Sequence, residues 1–420
     1  MDIKLIRKNP GLFKDACRKK GIDVDIDQIL KLDKERKEKL RSLEEMRRRK
    51  NLANKQIVKA SIEEKERIIS EMRTLDKEFE KVKEEFNKID SQLNELISKV
   101  PIPPAPDVPV GKTDKDNLEI KRWGKIPKFS FRPKSYLELM KSLDLLDLER
   151  GAKIGGFRQY VLKNEAVLLE QAVLNFSLSL LVKKGFTLIR PTIIVRGYTL
   201  FGTGMFPFGK KDTYQIDRDL FLAGTTEVPI MAYHSNEILK EKDLPKLYVG
   251  VSSAFRKEAG SYGKDVKGIY RVHEFLQTEQ VVICKNDLNE SIKWHEKLLE
   301  NSEEIMQKLG IPYRVVNCCT GELAQGQVKR YDIEAWIPSE NRYRETHSDS
   351  YLLDFQTRRL NIRYRTESGE LKFAHSLNNT GIASPRILIS LIENYQQKDG
   401  SIKVPKVLQK YVGKKIIKRR

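Results

Sequence analysis

The strongest constraint on the fold is a long heptad repeat in the first quarter of the chain. Apolar residues recur there at alternating spacings of four and three: Ile68, Met72, Leu75, Phe79, Val82, Phe86, Ile89, Leu93, Leu96 and Val100. Such a seam is typical of a helix that packs along a second helix. A weaker seam precedes it at Ile29, Leu32, Leu43, Met46, Ala53 and Ile57, and is interrupted by Arg36 and Lys50. We therefore expect helical structure from about Asp27 to Val100.

A reversal between the two seams would let them bury each other. The polar stretch at residues 59–64 suits such a reversal, and each helix would be roughly 50 Å long from its rise per residue. The second helix must then end, because Pro101, Pro103, Pro104, Pro106 and Pro109 follow and proline cannot donate a backbone hydrogen bond. We predict an antiparallel helical hairpin over residues 1–100, a proline-rich linker over 101–115 and a second domain over 116–420.

The charge of the chain indicates a polyanionic partner. A formal net charge of +20 favours nucleic acid, and an anionic membrane less. Thermophile-like enrichment in lysine and glutamate would explain the charged fraction of 33%, but it explains the positive excess less well. Cations of the first hairpin helix could contact RNA, or could form the solvated face of a coiled coil or a dimerisation zipper: Arg41, Arg47, Arg48, Arg49, Lys50 and Lys55.

The cysteines and the N-terminus favour a soluble, cytoplasmic protein. Cys17, Cys284, Cys318 and Cys319 have neither a disulfide framework nor metal-ligand spacing, so we expect reduced thiols and no structural zinc. The first residues lack an apolar signal core, and no run approaches the ~18 apolar residues of a membrane span. We expect no membrane partner.

Residues 254–279 carry the side chains best suited to bind a ligand. This stretch has a strand-like approach, a charged loop with glycines, and a return leg whose odd-numbered residues share one face if it is a strand. The residues concerned are Arg256, Glu258, Gly260, Gly263, Gly268, Arg271, His273, Phe275 and Glu279. A guanidinium binds phosphate oxygens, an aromatic ring stacks on a base, and a carboxylate binds an ammonium or hydroxyl group. The pattern favours a nucleotide beside a small polar molecule, and the alternative is an exposed charged hairpin.

Several segments in order resemble one enzyme family. FRKEAG, the glycine-bearing loop and RVHEFLQTEQ are similar to motif two of class II aminoacyl-tRNA synthetases, in the form of the seryl-tRNA synthetases. FTLIRPTIIV resembles motif one, and FAHSLNNTGIASPRILISLIENYQQKDGSIKVPKVL resembles motif three. The helical hairpin resembles the tRNA-binding arm of that family. The resemblance implies an α+β protein with an N-terminal coiled-coil hairpin and a catalytic domain on a mainly antiparallel sheet.

The resemblance also implies a reaction and a set of site residues. L-Serine would be activated by ATP to seryl-adenylate and transferred to the 3′ end of tRNA(Ser), with tRNA(Sec) as a further substrate, by a homodimer. Arg256, Glu345 and Arg386 would be catalytic, and Mg²⁺ would be held by Glu345 and Ser348. ATP would contact Arg256, Lys257, Glu258, Val272, Phe275, Glu345, Thr346, His347, Ser348 and Arg386. Serine would contact Thr225, Thr226, Glu227, Arg256, Glu279 and Thr380.

The sequence departs from the family pattern in three places. Residues 348–351 read Ser-Asp-Ser-Tyr where Ser-Cys-Ser-Asn is common, so Asp349 could tune the metal site or point away from it. Gln277 stands where lysine is common, and residues 383–385 read Ala-Ser-Pro where Ala-Val-Gly is usual. Three other interpretations stay open: a homologue that has lost catalysis, an amino-acid:carrier-protein ligase, and a coiled-coil scaffold. The ligases of that kind lack the long arm, and the scaffold predicts no ATP turnover.

Overall fold

A computed structural model describes residues 1–259, 265 and 267–419, and in it the chain divides into two units, Met1–Pro103 and Pro104–Arg420. Gly260 and Gly263, part of the predicted glycine-bearing loop, lie outside the described residues.

The first unit consists of helices. In chain order they are α1 (Ile3–Lys8), α2 (Pro10–Lys20), α3 (Ile26–Ile57) and α4 (Ile62–Lys99). Asp25 caps α3 by accepting from the Gln28 N–H, and Ser61 and Glu64 form a reciprocal capping box at the start of α4. The chain reverses between Ile57 and Ile62, which confirms the predicted hairpin.

The two long helices bury the predicted seams against each other. Leu43, Ala53, Leu75 and Phe79 are among the buried residues. The two cations that interrupt the first seam are accommodated because each meets an acidic residue of the facing helix, and the Lys50 ammonium also lies 4.3 Å above the Phe79 ring. Three ion pairs join the helices: Arg36–Asp90 at 3.3 Å, Lys39–Glu85 at 2.6 Å, and Lys50–Asp76.

The second unit surrounds one large sheet. Its helices are α5 (Tyr136–Ser142), α6 (Leu148–Gly155), α7 (Glu165–Lys183), α8 (Gly197–Thr203), α9 (Glu227–Ala232), α10 (Leu288–Leu309), α11 (Phe355–Arg359), α12 (Arg386–Asn394) and α13 (Gln409–Val412). The large sheet contains β1 (Leu118–Trp123), β4 (Thr187–Ile189), β9 (Lys246–Phe255), β10 (Glu274–Cys284), β11 (Tyr313–Asn317), β12 (Lys329–Ile337), β13 (Arg342–Leu353) and β16 (His375–Ala383).

Shorter strands form four small sheets around it. These strands are β2 (Leu146–Asp147), β3 (Val161–Leu162), β5 (Ile194–Arg196), β6 (Gln215–Asp217), β7 (Leu220–Leu222), β8 (Ile238–Lys240), β14 (Arg363–Arg365), β15 (Leu371–Phe373), β17 (Ile402–Lys403) and β18 (Ile416–Ile417). The pairs are β2 with β3 and β17 with β18, and the three-stranded orders are β5-β7-β6 and β15-β14-β8.

The large sheet has the order β1-β11-β12-β13-β16-β10-β9-β4. Neighbouring strands are antiparallel except for β4, which pairs with β9 in parallel. The α+β class with a mainly antiparallel sheet is thus confirmed. Pro191 interrupts the FTLIRPTIIV stretch, as proline does at a sheet edge: β4 is the edge strand, and the chain resumes after Pro191 as β5 in a separate sheet.

The long helices α7 and α10 cover one face of this sheet. The Thr278 and Gln280 side chains of β10 face α7 and α10, where the Thr278 hydroxyl lies 2.7 Å from that of Ser177 and the Gln280 amide donates to Ser302 over 3.1 Å. Since strand side chains alternate, the residues between them face the opposite way. Odd-numbered residues of β10 therefore point away from the helices.

Two expectations about individual elements need correction. The sequence favours a strand that bears Arg359, Arg363 and Arg365, but Arg359 ends the short helix α11, and Arg363 and Arg365 lie on strand β14. In addition, the 19-residue helix α7 contains an 18-residue window with a mean hydropathy of 1.5, which passes a length and composition test for a membrane span. Of that window, 61% is buried inside the protein, as in the core helix of a soluble domain.

Candidate active site

A cavity of about 360 Å³ opens on the face of the large sheet that lies opposite α7 and α10. It collects side chains from β10, β12, β13 and β16, from the loop after β9 and from the start of α12. Nine of the predicted site residues line it: Arg256, Glu258, Val272, Phe275, Glu345, Thr346, Ser348, Thr380 and Arg386. Segments separated by more than a hundred residues thus meet at one site, as the order of the motifs predicted.

One end of the cavity is strongly cationic. The Arg386 guanidinium pairs with Glu345 over 3.1 Å. It also lies 4.5 Å above the ring of Tyr270, and its Nε donates a hydrogen bond to the backbone carbonyl of the same tyrosine. Arg344 covers the same ring at 3.7 Å. Arg386 also occupies the first position of α12, where the helix dipole disfavours a cation. An anion bound at this end would relieve that conflict.

The charge of Glu345 is fixed by its surroundings. Burial alone would raise the pKa of this carboxyl, but the nearby guanidinium groups of Arg386, Arg330 and Arg256 outweigh burial and lower its pKa. Glu345 is therefore ionised at neutral pH. Together with the Ser348 hydroxyl it presents oxygen donors to the cavity.

The predicted ligand-binding hairpin is only partly a pair of strands. β9 ends at Phe255 and β10 begins at Glu274, so Arg271 and His273 precede the strand and do not follow its alternation. His273 Nδ1 lies 2.9 Å from the Arg256 carbonyl, and His273 is not among the cavity-lining residues, which corrects the prediction that it shares their face.

The residues on either side of the loop contact each other in the cavity. Glu258 has a left-handed backbone conformation with φ of 52°. Its carboxylate forms an ion pair with the Arg271 guanidinium, with an N–O distance of 2.6 Å. The Arg256 guanidinium lies 5.2 Å from the centre of the Phe275 ring, and its Nε donates to the Gly224 carbonyl over 3.0 Å. A basic group, an aromatic ring and a carboxylate are thus held side by side.

A second, more enclosed group of polar residues adjoins the cavity at Gln277. The Gln277 side-chain amide donates to the Thr225 hydroxyl over 3.0 Å and to the Glu279 carboxylate over 3.3 Å. Glu279 also hydrogen-bonds with Thr380, its cross-strand neighbour on β16. This group, comprising Thr225, Glu227, Gln277, Glu279 and Thr380, is called the inner pocket below.

Two buried carboxyl groups dominate the inner pocket. Glu279 is 5% exposed and Glu227 is 7% exposed. Burial raises the pKa of Glu279 well above its usual range, and the charge of Glu227 raises it further. Burial likewise raises the pKa of Glu227, although hydrogen bonds from Gln356 and Asn378 partly oppose the effect. A small cation would stabilise both carboxylates, so the inner pocket is suited to an ammonium group.

A glycine brings Glu227 to this place. α9 begins at Glu227 and packs against β9 at Gly250, where a Cβ atom would lie 2.4 Å from Ile230 and 2.7 Å from Thr226. Gly250 is the cross-strand partner of Glu279. The absence of a side chain therefore lets the two carboxyl groups approach the same pocket from different elements.

Three predicted residues have side chains that point elsewhere. The Lys257 ammonium lies 5.4 Å above the Tyr214 ring, the Thr226 hydroxyl bonds with Ser252 over 2.8 Å, and His347 Nε2 lies 2.9 Å from the Gly381 carbonyl. None of the three is among the cavity-lining residues. Any contact that they make with a ligand in this arrangement would involve their backbone.

Asp349 points away from the cavity. Its carboxylate lies 3.6 Å from His295 of α10, on the helix-covered face, and the residue is 1% exposed. Of the two possibilities, that Asp349 tunes the metal site or that it points away from it, the second is therefore correct. Asp349 adds no charge beside Glu345.

Sequence reasoning missed three lining residues: Tyr270, Glu322 and Arg330. Arg330 forms a two-point ion pair with Asp332, with donor–acceptor distances of 2.9 and 2.6 Å, and so lies fixed beside Glu345. A signal was present, because the charged residues Arg330, Asp332 and Glu334 alternate with Tyr331, Ile333 and Ala335 along β12. Its meaning depends on the pairing of β12 with β13, which the sequence does not state.

The described residues contain no group of three or more His, Cys, Asp or Glu side chains arranged to hold a metal ion. A cation at this site would therefore need oxygen atoms from a ligand as well as from Glu345 and Ser348. A hard cation such as Mg²⁺ commonly binds in this way, through one or two protein oxygens and substrate phosphates.

Two family models match the chain. Residues 1–103 match the model described as "Seryl-tRNA synthetase N-terminal domain". Residues 211–395 match the one described as "tRNA synthetase class II core domain (G, H, P, S and T)". The first covers the helical unit and the second contains every predicted site residue.

Individual proteins are similar over their full length. A serine–tRNA ligase of Deinococcus radiodurans is 44% identical over 414 residues, which cover 98% of this chain and 97% of the relative. The crystal structure of seryl-tRNA synthetase from Pyrococcus horikoshii complexed with ATP superposes with a TM-score of 0.92 at 40% identity, covering 100% of both chains. The cytoplasmic serine–tRNA ligase of Naegleria fowleri in complex with AMP gives a TM-score of 0.86 at 30% identity, covering 98% of this chain and 96% of that one.

Proposed function

The chain belongs to the seryl-tRNA synthetases, and we propose that the cavity and its inner pocket carry out serine activation with the residues assigned below. The chain is an ATP-binding serine–tRNA ligase, which joins L-serine to tRNA. The observation that best supports the assignment is the convergence of Arg256, Phe275, Glu345 and Arg386 on one cavity, beside two buried carboxyl groups. This arrangement matches a nucleotide next to an amino acid.

In the first step, a serine carboxylate oxygen attacks the α-phosphorus of ATP. The bond from that phosphorus to the bridging oxygen breaks, and pyrophosphate leaves with the electron pair. Arg256 neutralises charge on the α-phosphate and the serine carboxylate, Phe275 stacks on the adenine with Glu258 beside it, and Arg386 holds the γ-phosphate. The reaction needs no covalent intermediate with the protein, so positioning and charge neutralisation provide the rate enhancement.

The inner pocket holds serine. Glu227 and Thr225 would contact the amino group, and Glu279 and Thr380 would contact the hydroxyl group. Alanine would leave these buried polar groups without a partner, and sites of this kind reach discrimination of ~10⁴-fold or more. Threonine is excluded by the size of the pocket.

Glu345 and Ser348 would hold Mg²⁺ together with ATP. Glu345 is kept ionised by its arginine neighbours, and carboxylate and hydroxyl oxygens suit a hard cation. Bound there, the ion would neutralise charge on the phosphate oxygens. Arg386 now occupies one oxygen of Glu345, and phosphate oxygens would attract this guanidinium away from the carboxylate.

In the second step, the terminal ribose hydroxyl of tRNA attacks the carbonyl carbon of seryl-adenylate and AMP leaves. We propose that residues 1–100 form the arm that binds tRNA(Ser), residues 101–115 the linker and 116–420 the catalytic domain. Arg48 and Arg49 are exposed on α3 and available to phosphates. We also expect tRNA(Sec) as a further substrate.

We further propose a cytoplasmic homodimer. β4 is an edge strand, and Leu188 on it and Tyr233 nearby are 53% and 61% exposed. An edge with exposed apolar side chains is a surface that a second copy could cover. Light scattering of the purified protein tests this, and a monomer at micromolar concentration would refute it.

Serine-dependent exchange of pyrophosphate into ATP is the decisive experiment. We expect exchange with serine, little with alanine or threonine, and charging of tRNA(Ser) that is lost when the arm is removed while exchange persists. Exchange without charging by the full chain would favour a carrier-protein ligase. Absence of exchange would favour a homologue that has lost catalysis.

A further inference from the structure

A second cavity lies on the side of the large sheet that α7 and α10 cover, away from the candidate active site. Its volume is about 710 Å³, and it is bounded by the C-terminal halves of α7 and α10 and by the chain around α13. Phe176, Leu180 and Val407 give it an apolar floor. We call this cavity the rear groove. Its size is within the ~300–1,000 Å³ of ligand sites, and it contains no residue assigned to serine, ATP or the arm.

The wall of the rear groove is strongly basic. The charged residues among those that line it are five lysines and one glutamate: Lys183, Lys184, Lys308, Lys406, Lys410 and Glu304. The Glu304 carboxylate pairs with Lys184 over 2.6 Å and with Lys308 over 3.5 Å. Two lysines therefore share this carboxylate, and the wall keeps an excess of positive charge.

The other three lysines are not neutralised by the protein. Lys183, Lys406 and Lys410 are exposed, and none of them forms an ion pair within the described part of the chain. The Lys410 ammonium lies 4.7 Å above the ring of Tyr411, whose hydroxyl donates to that of Ser179 over 3.4 Å. Free cations and an aromatic ring thus stand together at the edge of an apolar cavity.

The C-terminal sequence shows the same excess of charge. Residues 398–420 contain nine lysines and arginines and one aspartate. Lysine enrichment for thermal stability pairs lysine with acidic residues in networks, but this segment contains no glutamate. Unpaired cations around an apolar floor therefore indicate a ligand that is both anionic and partly apolar.

We propose that the rear groove binds single-stranded RNA. Each nucleotide of such a strand presents a charged phosphate and an unpaired base, and proteins bind it with basic grooves and with side chains that contact the bases. Lys183, Lys406 and Lys410 contact the phosphates. A base enters the cavity and packs against Phe176 and Leu180. Duplex RNA keeps its bases paired, so it can use the lysines but not the cavity.

Fluorescence anisotropy of the full chain with a short labelled oligouridylate tests the contribution of charge. K183E combined with K406E and K410E should raise the Kd about tenfold or more at low salt. The slope of log Kd against log salt concentration should fall by about 2, because each lost contact with a single-stranded phosphate removes about 0.7. An unchanged Kd or slope would overturn the proposal.

Three other exposed lysines provide a matched control. K125E combined with K128E and K293E changes the net charge of the protein by the same amount, and these positions do not line the rear groove. Its Kd should stay within about threefold of wild type. Equal weakening in the two triple variants would show an effect of net charge alone and would contradict a site at the rear groove.

An abasic strand of equal length tests whether the bases matter. It keeps the phosphates, so wild-type protein should bind it about fivefold or more weakly with the same salt slope. S179L narrows the cavity and leaves every lysine in place, and should bind both strands with the lower affinity. A preference for bases that persists in S179L would place the base contact elsewhere. Equal binding of both strands by wild-type protein, or tighter binding of a duplex, would reduce the groove to a charged surface; either result overturns the proposal.

Two further measurements distinguish other occupants. Displacement of the strand by uridine monophosphate at an equal concentration would identify a mononucleotide site. Dissociation of the K183E/K406E/K410E protein into monomers in light scattering would identify the groove as a contact between copies of the chain. Either result refutes the RNA site. All variants should keep the wild-type rate of serine-dependent exchange, and a parallel loss of exchange would tie these lysines to the active site instead.

Discussion

Replacing Glu279 by glutamine should weaken serine binding while making the protein more stable. The side chain keeps its shape, so the change removes one negative charge from the inner pocket and little else. Hydrogen bonds to charged groups contribute about 1.5–3 kcal/mol. Since 1.4 kcal/mol corresponds to a factor of ten, we expect the serine KM of E279Q to rise roughly 10- to 150-fold.

ATP should be nearly unaffected by this change. The phosphate end of the cavity contains Arg386 and Glu345, which lie on α12 and β13 and not on β10. We therefore expect the ATP KM of E279Q to stay within about threefold of wild type. Discrimination of serine from alanine should fall by tenfold or more, because alanine has no hydroxyl group, so only serine binding depends on this contact with Glu279. Pyrophosphate exchange with each amino acid measures both quantities.

The dependence on pH provides an independent check. Because the pKa of Glu279 is raised when no serine is bound, a larger share of this carboxyl is protonated at a given pH than for an exposed glutamate. The serine ammonium favours the ionised form. Serine binding should then release a proton, so kcat/KM for serine should increase with pH up to the pKa of the free enzyme. E279Q should flatten this part of the profile.

Stability should respond in the opposite sense. A carboxyl whose pKa is raised by folding destabilises the folded state once the pH rises above the pKa that this group has in the unfolded chain, because ionisation is less favourable in the folded protein. E279Q removes this effect, and the melting temperature near pH 7 should increase. An unchanged serine KM, or equal losses for serine and ATP, would refute the placement of Glu279 against the substrate.

Three further results are expected. R386Q should lower the rate of exchange by about 10²-fold or more and raise the ATP KM, since the guanidinium contacts developing charge only at the phosphate end; a larger change in the serine KM would contradict this. D349N should raise the melting temperature more at pH 8 than at pH 5 in calorimetry, because burial raises the pKa of Asp349 and its carboxylate oxygens lack hydrogen-bond partners in the described part of the chain; destabilisation at both pH values would argue against it. R48E combined with R49E should slow charging and reduce its salt dependence by about 0.7–0.9 per lost phosphate contact, while exchange stays at the wild-type rate; a parallel loss of exchange would place these arginines outside the arm's function.

The helical hairpin was predictable because its signals are local. A heptad spacing, a polar reversal and a cluster of prolines each act within a few residues, and α3 and α4 follow them closely. The order of the motifs was equally informative about the cavity, since Arg256, Phe275, Glu345 and Arg386 meet there.

Non-local pairing set the limit of the prediction. His273 was assigned to the cavity by strand alternation, but the strand begins one residue later, at Glu274. Arg330 was overlooked because its closeness to Glu345 depends on which strands are neighbours. The hydrogen bond from Gln277 to Thr225 likewise joins residues that are 52 apart in sequence. The periodicity of the sequence does not determine any of these contacts.

The ion pairs between α3 and α4 fix how the two long helices align along their length. Sliding one helix along the other by a heptad, about 10 Å, would separate Arg36 from Asp90, Lys39 from Glu85 and Lys50 from Asp76 at once. An all-apolar seam would tolerate such a slip far better. With this alignment fixed, the basic side chains on the outside of α3 keep one set of distances from the turn. A tRNA bound to the proposed arm would then need phosphates at matching distances.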